Sequence, residues 1–248
     1  MTAPRLATLY DIHGNLPALD ATLAAVEAAA VDTILIGGDI VLGPFPAETL
    51  DRLRALGTRA RCIRGNCDRL VVEAFDRTPS RRLPAPVAEA LTWTAAQLDR
   101  DQRDFLVALP ETLSLDVEGL GPVLFCHATP RSDEEIFTAR TPVERLRPML
   151  DGVREHVIVC GHTHMQFDRE VDGHRVVNAG SVGMPYGAPG AHWLMLGPDI
   201  QRQRTMYDLD AAARAVRATS YPRADEFARQ SVLQPPSEEE MLALFSPQ

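Results

Sequence analysis

Residues 5–30 read RLATLYDIHGNLPALDATLAAVEAAA, an apolar segment joined to an amphipathic one through the tripeptide Asp-Ile-His. The first six residues, 5–10, are mostly apolar and are typical of a short buried strand. Leucine and valine then recur at positions 16, 19, 23 and 26, which is the spacing of one helix face. Asn15 is a suitable N-cap, and Pro17 is tolerated in a first helical turn. The stretch therefore predicts a buried strand that turns directly into a helix.

The same alternation continues along the next part of the chain. We predict a strand at DTILIGGD (32–39), a helix at PAETLDRLRAL (46–56) and a strand at TRARCIRGN (58–66). Strands that alternate with helices are typical of βαβ units, in which the strands pair in parallel and the helices lie outside. A connector rich in proline and arginine follows at 77–86, and two further helices are predicted at 87–98 and 101–109.

The second half of the chain is richer in strands. Strands are predicted at 112–117, 122–127 and 155–164, with a helix at 141–150. Four more strands, joined by tight turns such as Asp172-Gly173, are expected to be antiparallel, at 166–171, 174–180, 192–197 and 201–209. Helices are predicted at 211–218, 223–230 and 237–245. Because we find neither a repeat nor a linker, we expect residues 1–248 to form one domain, with a helical excursion at 77–108 and a C-terminal helical segment at 210–248.

Composition and charge exclude several classes of function. The formal charge is −9, so the chain lacks the basic footprint of a sequence-independent partner of nucleic acid or anionic membrane. All 25 basic residues are arginine, which excludes a catalytic or Schiff-base lysine. The first strand is followed by YDIHGN rather than by Gly-x-Gly-x-x-Gly, which argues against a dinucleotide-binding dehydrogenase.

The cysteines and the N-terminus favour a cytoplasmic location. The N-terminus MTAPRLATLYDIHG lacks the basic-then-apolar pattern of a signal segment, and no apolar stretch approaches membrane-spanning length. The four cysteines, Cys62, Cys67, Cys126 and Cys160, lack paired Cys-x-x-Cys spacing. We therefore expect reduced thiols and no membrane partner.

Metal-binding residue types follow five of the predicted strands. These residues are Asp11, His13, Asp39, Asn66, His127, His162 and His164. Because sites gather at the carboxyl ends of parallel strands, we expect these side chains to converge. Seven nitrogen and oxygen donors are too many for one tetrahedral zinc ion but suit two ions that share a carboxylate. A donor set of imidazole and carboxylate without thiolate fits manganese, which we favour, or iron, zinc, nickel or cobalt, better than calcium or magnesium. Glycine precedes three of the seven, which predicts close backbone approach there.

The series D-x-H, G-D, G-N-x-D, H and G-H-x-H resembles the calcineurin-like metallophosphoesterase superfamily. Four segments resemble the small bacterial and archaeal phosphodiesterase branch of that superfamily. They are DIHGNLPALDATL (11–23), RGNCD (64–68), GHTHMQF (161–167) and VVNAGSVGMP (176–185). The similarity runs from residue 5 to about residue 208. It implies an α/β fold of the αββα type, in which two mixed sheets pack face to face with helices outside.

The resemblance also implies a role for each of the seven residues. Asp11, His13, Asp39 and His164 would hold one ion, and Asp39, Asn66, His127 and His162 the other, with Asp39 bridging. The implied activity is hydrolysis of phosphodiesters, and of phosphomonoesters as well, by attack of a hydroxide that bridges two metal ions. The implied partner is a small phosphoester, and the oligomeric state is left open.

Cys67 departs from the pattern of much of the superfamily. There, the residue after the metal-binding asparagine is a histidine that can protonate the leaving group, oriented by the acid that follows. Here Cys67 takes the place of the histidine, and Asp68 keeps the acid, so both are candidate catalytic residues. Cys67 could donate a proton poorly, act only as a small residue that leaves space, or serve as a ligand or redox-sensitive thiol. Without a good general acid we expect a preference for diesters with aryl-like leaving groups.

Two further residues are candidates for substrate binding. Arg131, in the polar loop after His127, could contact phosphate as a fork donor, although an ordinary solvated arginine explains it as well. Asn178 could line the site beside His162, or could belong to an Asn-Ala-Gly turn. His156, His174 and His192 lie outside the motifs and are expected to be structural.

One function from a different class is also compatible with the fold. A protein of this superfamily could have lost catalysis and act as a protein-interaction scaffold. Broken metal ligands are the usual sign of such a loss, and none of the seven is missing here.

Overall fold

The fold, seen in a computed structural model that describes residues 5–245, is built on two five-stranded sheets. The strands are β1 Leu6–Leu9, β2 Thr33–Ile36, β3 Ala60–Cys62, β4 Thr112–Val117, β5 Gly121–Cys126, β6 Val157–Cys160, β7 Phe167–Val171, β8 His174–Asn178, β9 Ala191–Leu196 and β10 Ile200–Thr205. The helices are α1 Leu16–Ala28, α2 Pro46–Arg54, α3 Asn66–Asp76, α4 Ala85–Gln97, α5 Arg100–Ala108, α6 Val143–Leu146, α7 Leu209–Arg217, α8 Ala224–Phe227 and α9 Glu238–Phe245. Short 3-10 helices lie at Gly57–Arg59 and Arg147–Met149, and a π-helical turn lies at Ala228–Leu233.

Both sheets mix parallel and antiparallel strands. The first has the order β10-β9-β1-β2-β3, in which β1, β2 and β3 are parallel to one another. β9 pairs antiparallel with β1 on one side and with β10 on the other. The second has the order β4-β5-β6-β8-β7, in which β5, β6 and β8 are parallel and the edge strands β4 and β7 antiparallel. The parallel strands align the turns that follow them at one edge of each sheet, as the sequence predicts.

Side chains alternate between two cores along each central strand. Leu6 and Leu35 of the first sheet share a buried cluster with Phe125 and Val159 of the second, which is the interface between the sheets. The intervening residues, such as Ala7, face the opposite way into a cluster with the outer helices. Because both faces of the strands are covered, the strands read as continuous apolar runs.

Helices cover the outer face of each sheet. Leu19 and Leu23 of α1, Leu50 and Leu53 of α2, and Leu106 of α5 pack on the first sheet. The outer face of the second sheet is covered by residues of the 137–150 region, including α6. The predicted arrangement of two mixed sheets with helices outside is therefore confirmed.

Helix α3 is the main local difference from the sequence prediction. The strand predicted at 58–66 is only three residues long, and Asn66 begins a helix that was not predicted. Asp68, in the first turn, accepts a hydrogen bond from the backbone N–H of Gly65, and this contact caps the helix. The Gly-Asn pair therefore marks a direct passage from strand to helix rather than the end of a longer strand.

The later strands pair in a more complex way than predicted. β7 with β8 and β9 with β10 form antiparallel pairs, as expected from their tight turns. β8, however, also pairs in parallel with β6, and β9 crosses to the first sheet to pair with β1. Local sequence patterns fix a hairpin but do not say which sheet it joins.

The C-terminal segment, residues 209–245, is helical, as predicted for the part that the structure describes. It packs against α4 through a small core that includes Ala90, Val216, Tyr221 and Phe227. Residues 1–4 and 246–248 lie outside the described part of the chain, so the single domain predicted over 1–248 stays a prediction. Within 5–245, no helix has the length and apolar character needed to cross a bilayer.

Candidate metal centre

Five of the seven candidate ligands have a backbone conformation that L-residues rarely adopt. Their φ angles are 54° at Asp11, 49° at His13, 52° at Asp39, 65° at His162 and 59° at His164. In the described part of the chain only eight non-glycine residues have a positive φ, so the ligands supply most of them. Each such residue costs about 1 kcal/mol or more, and strain of this kind collects at functional sites.

The first group of ligands consists of Asp11, His13 and His164. The Oδ1 atom of Asp11 lies 3.4 Å from Nε2 of His164 and 3.9 Å from Nε2 of His13. The two Nε2 atoms are 3.2 Å apart. One donor atom from each residue therefore lies within 4.8 Å of the others, a spacing that a single ion can span.

The second group consists of Asp39, His127, His162 and Asn66. Nε2 of His127 lies 3.5 Å from Oδ1 of Asp39 and 3.0 Å from Oδ1 of Asn66. His162 has a ring nitrogen within 4.8 Å of the Asp39 and His127 donors. The structure thus brings all seven sequence-predicted residues into one cluster of two groups.

Asp39 lies between the two groups. Its Oδ2 is 3.6 Å from Nε2 of His13 in the first group, and its Oδ1 is 3.5 Å from Nε2 of His127 in the second. The backbone N–H of Cys67 donates to Oδ1 over 2.8 Å and holds the carboxylate in this orientation. One oxygen toward each group is compatible with a carboxylate that bridges two ions.

The cluster fits a bound cation. Asp11 is fully buried, and its Oδ1 has no hydrogen-bond partner within the described residues, which is costly unless a cation faces it. The Nδ1 atoms of His127 and His164 donate to the carbonyl oxygens of Gly37 and Met184, over 2.9 and 2.7 Å. These bonds leave each Nε2 directed at the cluster, as in imidazoles that bind metals.

The charges of the cluster shift the pKa values of its members. Burial raises the pKa of Asp39, but the facing imidazoles of His127 and His13 outweigh it and hold the pKa well below its usual range. Burial lowers the pKa of His127, but the carboxylates of Asp39 and Asp11 outweigh it and raise that pKa to about 10. Burial dominates at His13 and lowers its pKa to about 4. Without metal, protons on imidazole therefore balance the carboxylates.

Glycines allow the ligand loops to approach one another, as predicted. A Cβ atom on Gly65 would lie 2.2 Å from Oδ1 of Asp39, and one on Gly161 would lie 2.5 Å from Oδ2 of Asp11. At Gly38 the φ angle is 89°, and a Cβ would lie 2.4 Å from the backbone nitrogen of Gly65. A side chain at these positions would displace a ligand.

Asp68 lies behind the cluster rather than in it. Its Oδ1 accepts hydrogen bonds from the backbone N–H groups of Ile40 and Val41, and its Oδ2 accepts one from Gly65. Burial and the charge of Asp39 raise its pKa to about 7. Both oxygens of Asp68 bond the backbone and Asp68 does not line the cavity, so these contacts favour a positioning role, and its catalytic role stays a prediction.

Cys67 does lie at the surface of the site. Its Sγ lies 3.8 Å from Nδ2 of Asn66, and within 4.8 Å of donor atoms of His13 and Asp39. Burial and the nearby charge of Asp39 raise the pKa of the thiol, so the thiol is neutral at pH 7. All four cysteines are free thiols, as expected.

The two predicted substrate contacts lie elsewhere. Asn178 is buried, and its amide donates to the carbonyl of Gly161 and the hydroxyl of Thr163 and accepts from the backbone of Gly180. It therefore supports the turn that carries the histidines rather than facing substrate. Arg131 pairs with Glu135 and donates to the carbonyl of Pro148, and it does not line the cavity.

The three remaining histidines have backbone partners. Nδ1 of His156 bonds the carbonyl of Gly173, Nδ1 of His174 that of Glu155, and Nε2 of His192 that of Ala188. These contacts are structural, as the sequence suggests.

A cavity of about 250 Å³ opens over the cluster. Candidate ligands and Cys67 form part of its lining, and a second part is largely apolar, namely Leu42, Val87, Ala90, Met184 and Tyr221. Arg223 is the one arginine among the described residues that line the cavity. Sequence reasoning missed Tyr221 and Arg223 because nothing in SYPRAD (220–225) resembles a site motif, and only the folding of the C-terminal segment brings them here.

Comparison with known sequences identifies related proteins. The family model described as the calcineurin-like phosphoesterase superfamily domain matches residues 5–199. The phosphodiesterase YfcE of Escherichia coli K12 is 26% identical over 205 residues, which cover 79% of this chain and 89% of that protein. An uncharacterized protein of Methanocaldococcus jannaschii is 28% identical over 187 residues, which cover 73% of this chain and 71% of that protein.

Solved structures share the fold. A hypothetical protein of Pyrococcus horikoshii OT3 superposes with a TM-score of 0.78 at 22% identity, covering 94% of this chain and 99% of that one. A metallophosphoesterase from Sphaerobacter thermophilus superposes with a TM-score of 0.70 at 25% identity, covering 90% of this chain and 98% of that one. The sandwich of two mixed sheets is thus shared with related proteins over most of the chain.

The close contact at Gly65 leads to a prediction about metal affinity. We expect Gly65→Ala to weaken metal binding by about 10- to 100-fold, because its methyl group displaces Asp39. The φ angle of Gly65 is −95°, so alanine fits the backbone and the loss must come from the methyl contact. Calorimetric titration measures the affinity. Gly57→Ala is the control: a Cβ there meets nothing within 4 Å, and its φ of +58° places the strain of alanine in the backbone away from the cluster, so metal affinity should stay unchanged. Equal affinities for both variants would contradict the prediction.

The raised pKa of His127 predicts a link between metal binding and protons. At pH 7 this imidazole carries a proton in the metal-free protein, whereas a metal ligand must be neutral. We expect binding of Mn²⁺ or Zn²⁺ to release at least one proton. For each proton released, the apparent metal affinity should rise about 10-fold for every pH unit between pH 6 and 8. Titrations in buffers of different ionisation enthalpy count the protons. Affinity that is independent of pH over this range would refute the link.

Proposed function

The chain belongs to the calcineurin-like phosphoesterase superfamily, and on this premise we propose that it is a phosphodiesterase that works with two divalent metal ions. Phosphomonoesters are included as secondary substrates. The position of Asp39 carries the proposal: one carboxylate oxygen faces the Asp11 group and the other faces His127. A single-ion site would need no such shared carboxylate.

The proposed ligand sets follow the two groups. Asp11, His13, Asp39 and His164 would hold one ion. Asp39, Asn66, His127 and His162 would hold the other. Manganese is the proposed metal, with iron, zinc, nickel or cobalt as alternatives, because imidazole and carboxylate dominate the set and the Cys67 thiol is neutral.

The chain's own charges explain why a phosphoester would enter. The protein has a formal charge of −9, which repels anions in general. Two bound divalent ions would outweigh the two buried carboxylates of the cluster, make it locally cationic, and supply an activated water and charge neutralisation for phosphate hydrolysis. Asn66 adds a neutral oxygen donor, which keeps the net charge of the cluster positive.

Cys67 supports a preference for diesters with good leaving groups. No imidazole stands at this position, and Asp68 is fully bonded to the backbone, so neither residue supplies an efficient general acid. General-acid help is worth about 10²–10⁴ in rate, and its loss matters least when the leaving group departs without a proton. The relative YfcE, a phosphodiesterase by name, supports the same reaction class.

The scaffold alternative receives no support from the site. All seven candidate ligands are present and lie in one cluster, in which five are buried and two half-buried. The strained backbone at five of them would have no purpose in an inactive scaffold. We also propose the cytoplasm as the compartment, because all four cysteines are unpaired thiols.

Removal of one ligand tests the proposed activity. We expect metal-supplemented protein to hydrolyse bis(p-nitrophenyl) phosphate, and His162→Ala to lower kcat at least about 100-fold because one ion loses a ligand. His156→Ala, which removes an exposed imidazole away from the cluster, is the control and should match the wild type. Turnover that survives a chelator, or that is unchanged in His162→Ala, would refute the proposal.

Substitution of Cys67 tests the missing acid. We expect Cys67→His to raise kcat for diesters with alkyl leaving groups about 10-fold or more, with a smaller effect on p-nitrophenyl esters, because only poor leaving groups need the proton. Cys67→Ser is the control, since it keeps the size of the side chain without adding an imidazole. An equal change for both kinds of ester would show that the proton comes from another source.

A further inference from the structure

A second cavity of about 240 Å³ adjoins the metal cavity. Three residues, Met184, Tyr221 and Arg223, line both cavities, so they stand at the junction between them. The second cavity is lined further by Phe227 and Met241. We call the second cavity the distal groove, because it leads away from the metal ligands.

The distal groove is built mainly by the C-terminal segment. The family match ends at residue 199, whereas Tyr221, Phe227 and Met241 all lie beyond it. A π-helical turn at Ala228–Leu233 forms part of the wall. Such turns are rare in proteins overall, and those that occur are often found at functional sites. The part of the chain that walls the groove is thus separate from the part that carries the metal ligands.

Tyr221 is held rigidly at the junction. Its ring packs edge-on against Trp93, with centroids 5.3 Å apart, and against Phe227, with centroids 6.1 Å apart. Only 8% of the residue is exposed. A fixed aromatic ring loses little entropy when a second flat group packs on it, which suits it to bind an aromatic ligand.

Arg223 supplies the positive charge at the junction. Its Nε donates to Glu226 over 3.0 Å, and its Nη2 also bonds Glu226. Its Nη1 has no hydrogen-bond partner among residues 5–245. The guanidinium is therefore oriented by Glu226 while one nitrogen stays available for an anionic oxygen.

We propose that the distal groove binds the ester group that stays on phosphorus when the leaving group departs, and that this group is a flat aromatic ring. Arg223 contacts an oxygen of the adjoining phosphoryl group. The inference rests on the proposed phosphodiesterase function and adds to it the chemical class of the second ester group. The apolar part of the lining, from Met184, Phe227 and Met241, suits contact with a flat ring. The polar part of the lining includes Glu226, Gln230 and Ser231.

Two esters that share a leaving group separate binding from chemistry. Methyl p-nitrophenyl phosphate and phenyl p-nitrophenyl phosphate both release p-nitrophenolate, and they differ in the retained group. We expect kcat/KM of the wild type to be at least about 10-fold higher for the phenyl ester, mostly through a lower KM, because the ring is buried in the groove. Equal kcat/KM for the two esters would overturn the inference.

A substitution at the far end of the groove locates the effect. Met241→Trp fills the groove from α9. We expect this variant to lower kcat/KM for both esters unequally: the fold-loss for the phenyl ester should be at least about 5 times the fold-loss for the methyl ester. Leu244→Trp adds the same side chain to the same helix at a position that is 71% exposed and outside the groove, and it should change neither value. Matching ratios in the two variants would contradict the proposed location.

Arg223 is tested by a separate variant. Arg223→Gln should lower kcat/KM about 10-fold for both esters, because both contain the phosphoryl group that the guanidinium contacts. Arg214→Gln, at an exposed arginine of α7, is the matched control. A loss confined to the phenyl ester, or no loss, would refute the phosphoryl contact.

A binding measurement decides the question without mutation. Phenylphosphonate and methylphosphonate are not hydrolysed, and calorimetry on metal-loaded wild-type protein gives their Kd values. We expect phenylphosphonate to bind at least about 10-fold more tightly, and equal Kd values would overturn the groove assignment. Absence of metal-dependent turnover of both esters would instead refute the proposed function, so the two failures are distinguishable.

Discussion

The burial of two carboxylates side by side governs the structure of the site. Asp11 and Asp39 are almost completely removed from water, which by itself would favour their neutral forms. Facing imidazoles, those of His164 and His127 at Asp11 and those of His127 and His13 at Asp39, hold both pKa values below the ordinary range. The carboxylates in turn raise the pKa values of His127 and His164, which favours protons on these imidazoles when no cation is bound. Two buried carboxylates need positive charge beside them, and this requirement makes the cluster a candidate site for metal ions.

The surrounding chain resists the relaxation of that cluster. Most of the candidate ligands have a left-handed backbone conformation, which costs about 1 kcal/mol or more of folding free energy per residue. If the loops were free, these residues would return to a more favourable conformation. Asp68 ties the loop after β2 to the start of α3, and Asn178 ties the turn after β6 to the end of β8. The glycines keep these loops at contact distance. Buried polar side chains that never meet substrate therefore hold the ligands in place.

The site divides its tasks between two regions of the chain. The turns after the parallel strands carry the charged and metal-binding groups, and the two sheets fix their positions. The walls around the cavity come from α4, from the loop before β9 and from the C-terminal segment. Tyr221 and Arg223 belong to this second region, beyond the end of the family match. A rigid scaffold with separate walls lets the reaction and the choice of substrate depend on different residues.

The sequence by itself determined most of the order of strands and helices and the seven residues of the cluster, and its resemblance to a known superfamily implied the αββα class. It could do so because each ligand directly follows a strand, and parallel strands bring their carboxyl ends to one edge. Only the tertiary structure showed that Asn66 begins a helix, that β9 crosses to the first sheet and that Asp68 and Asn178 bond backbone rather than substrate. It also showed that Arg223 lines the cavity, whereas Arg131 donates to the carbonyl of Pro148. Those features depend on partners that are distant along the chain, and local residue patterns carry no information about such partners.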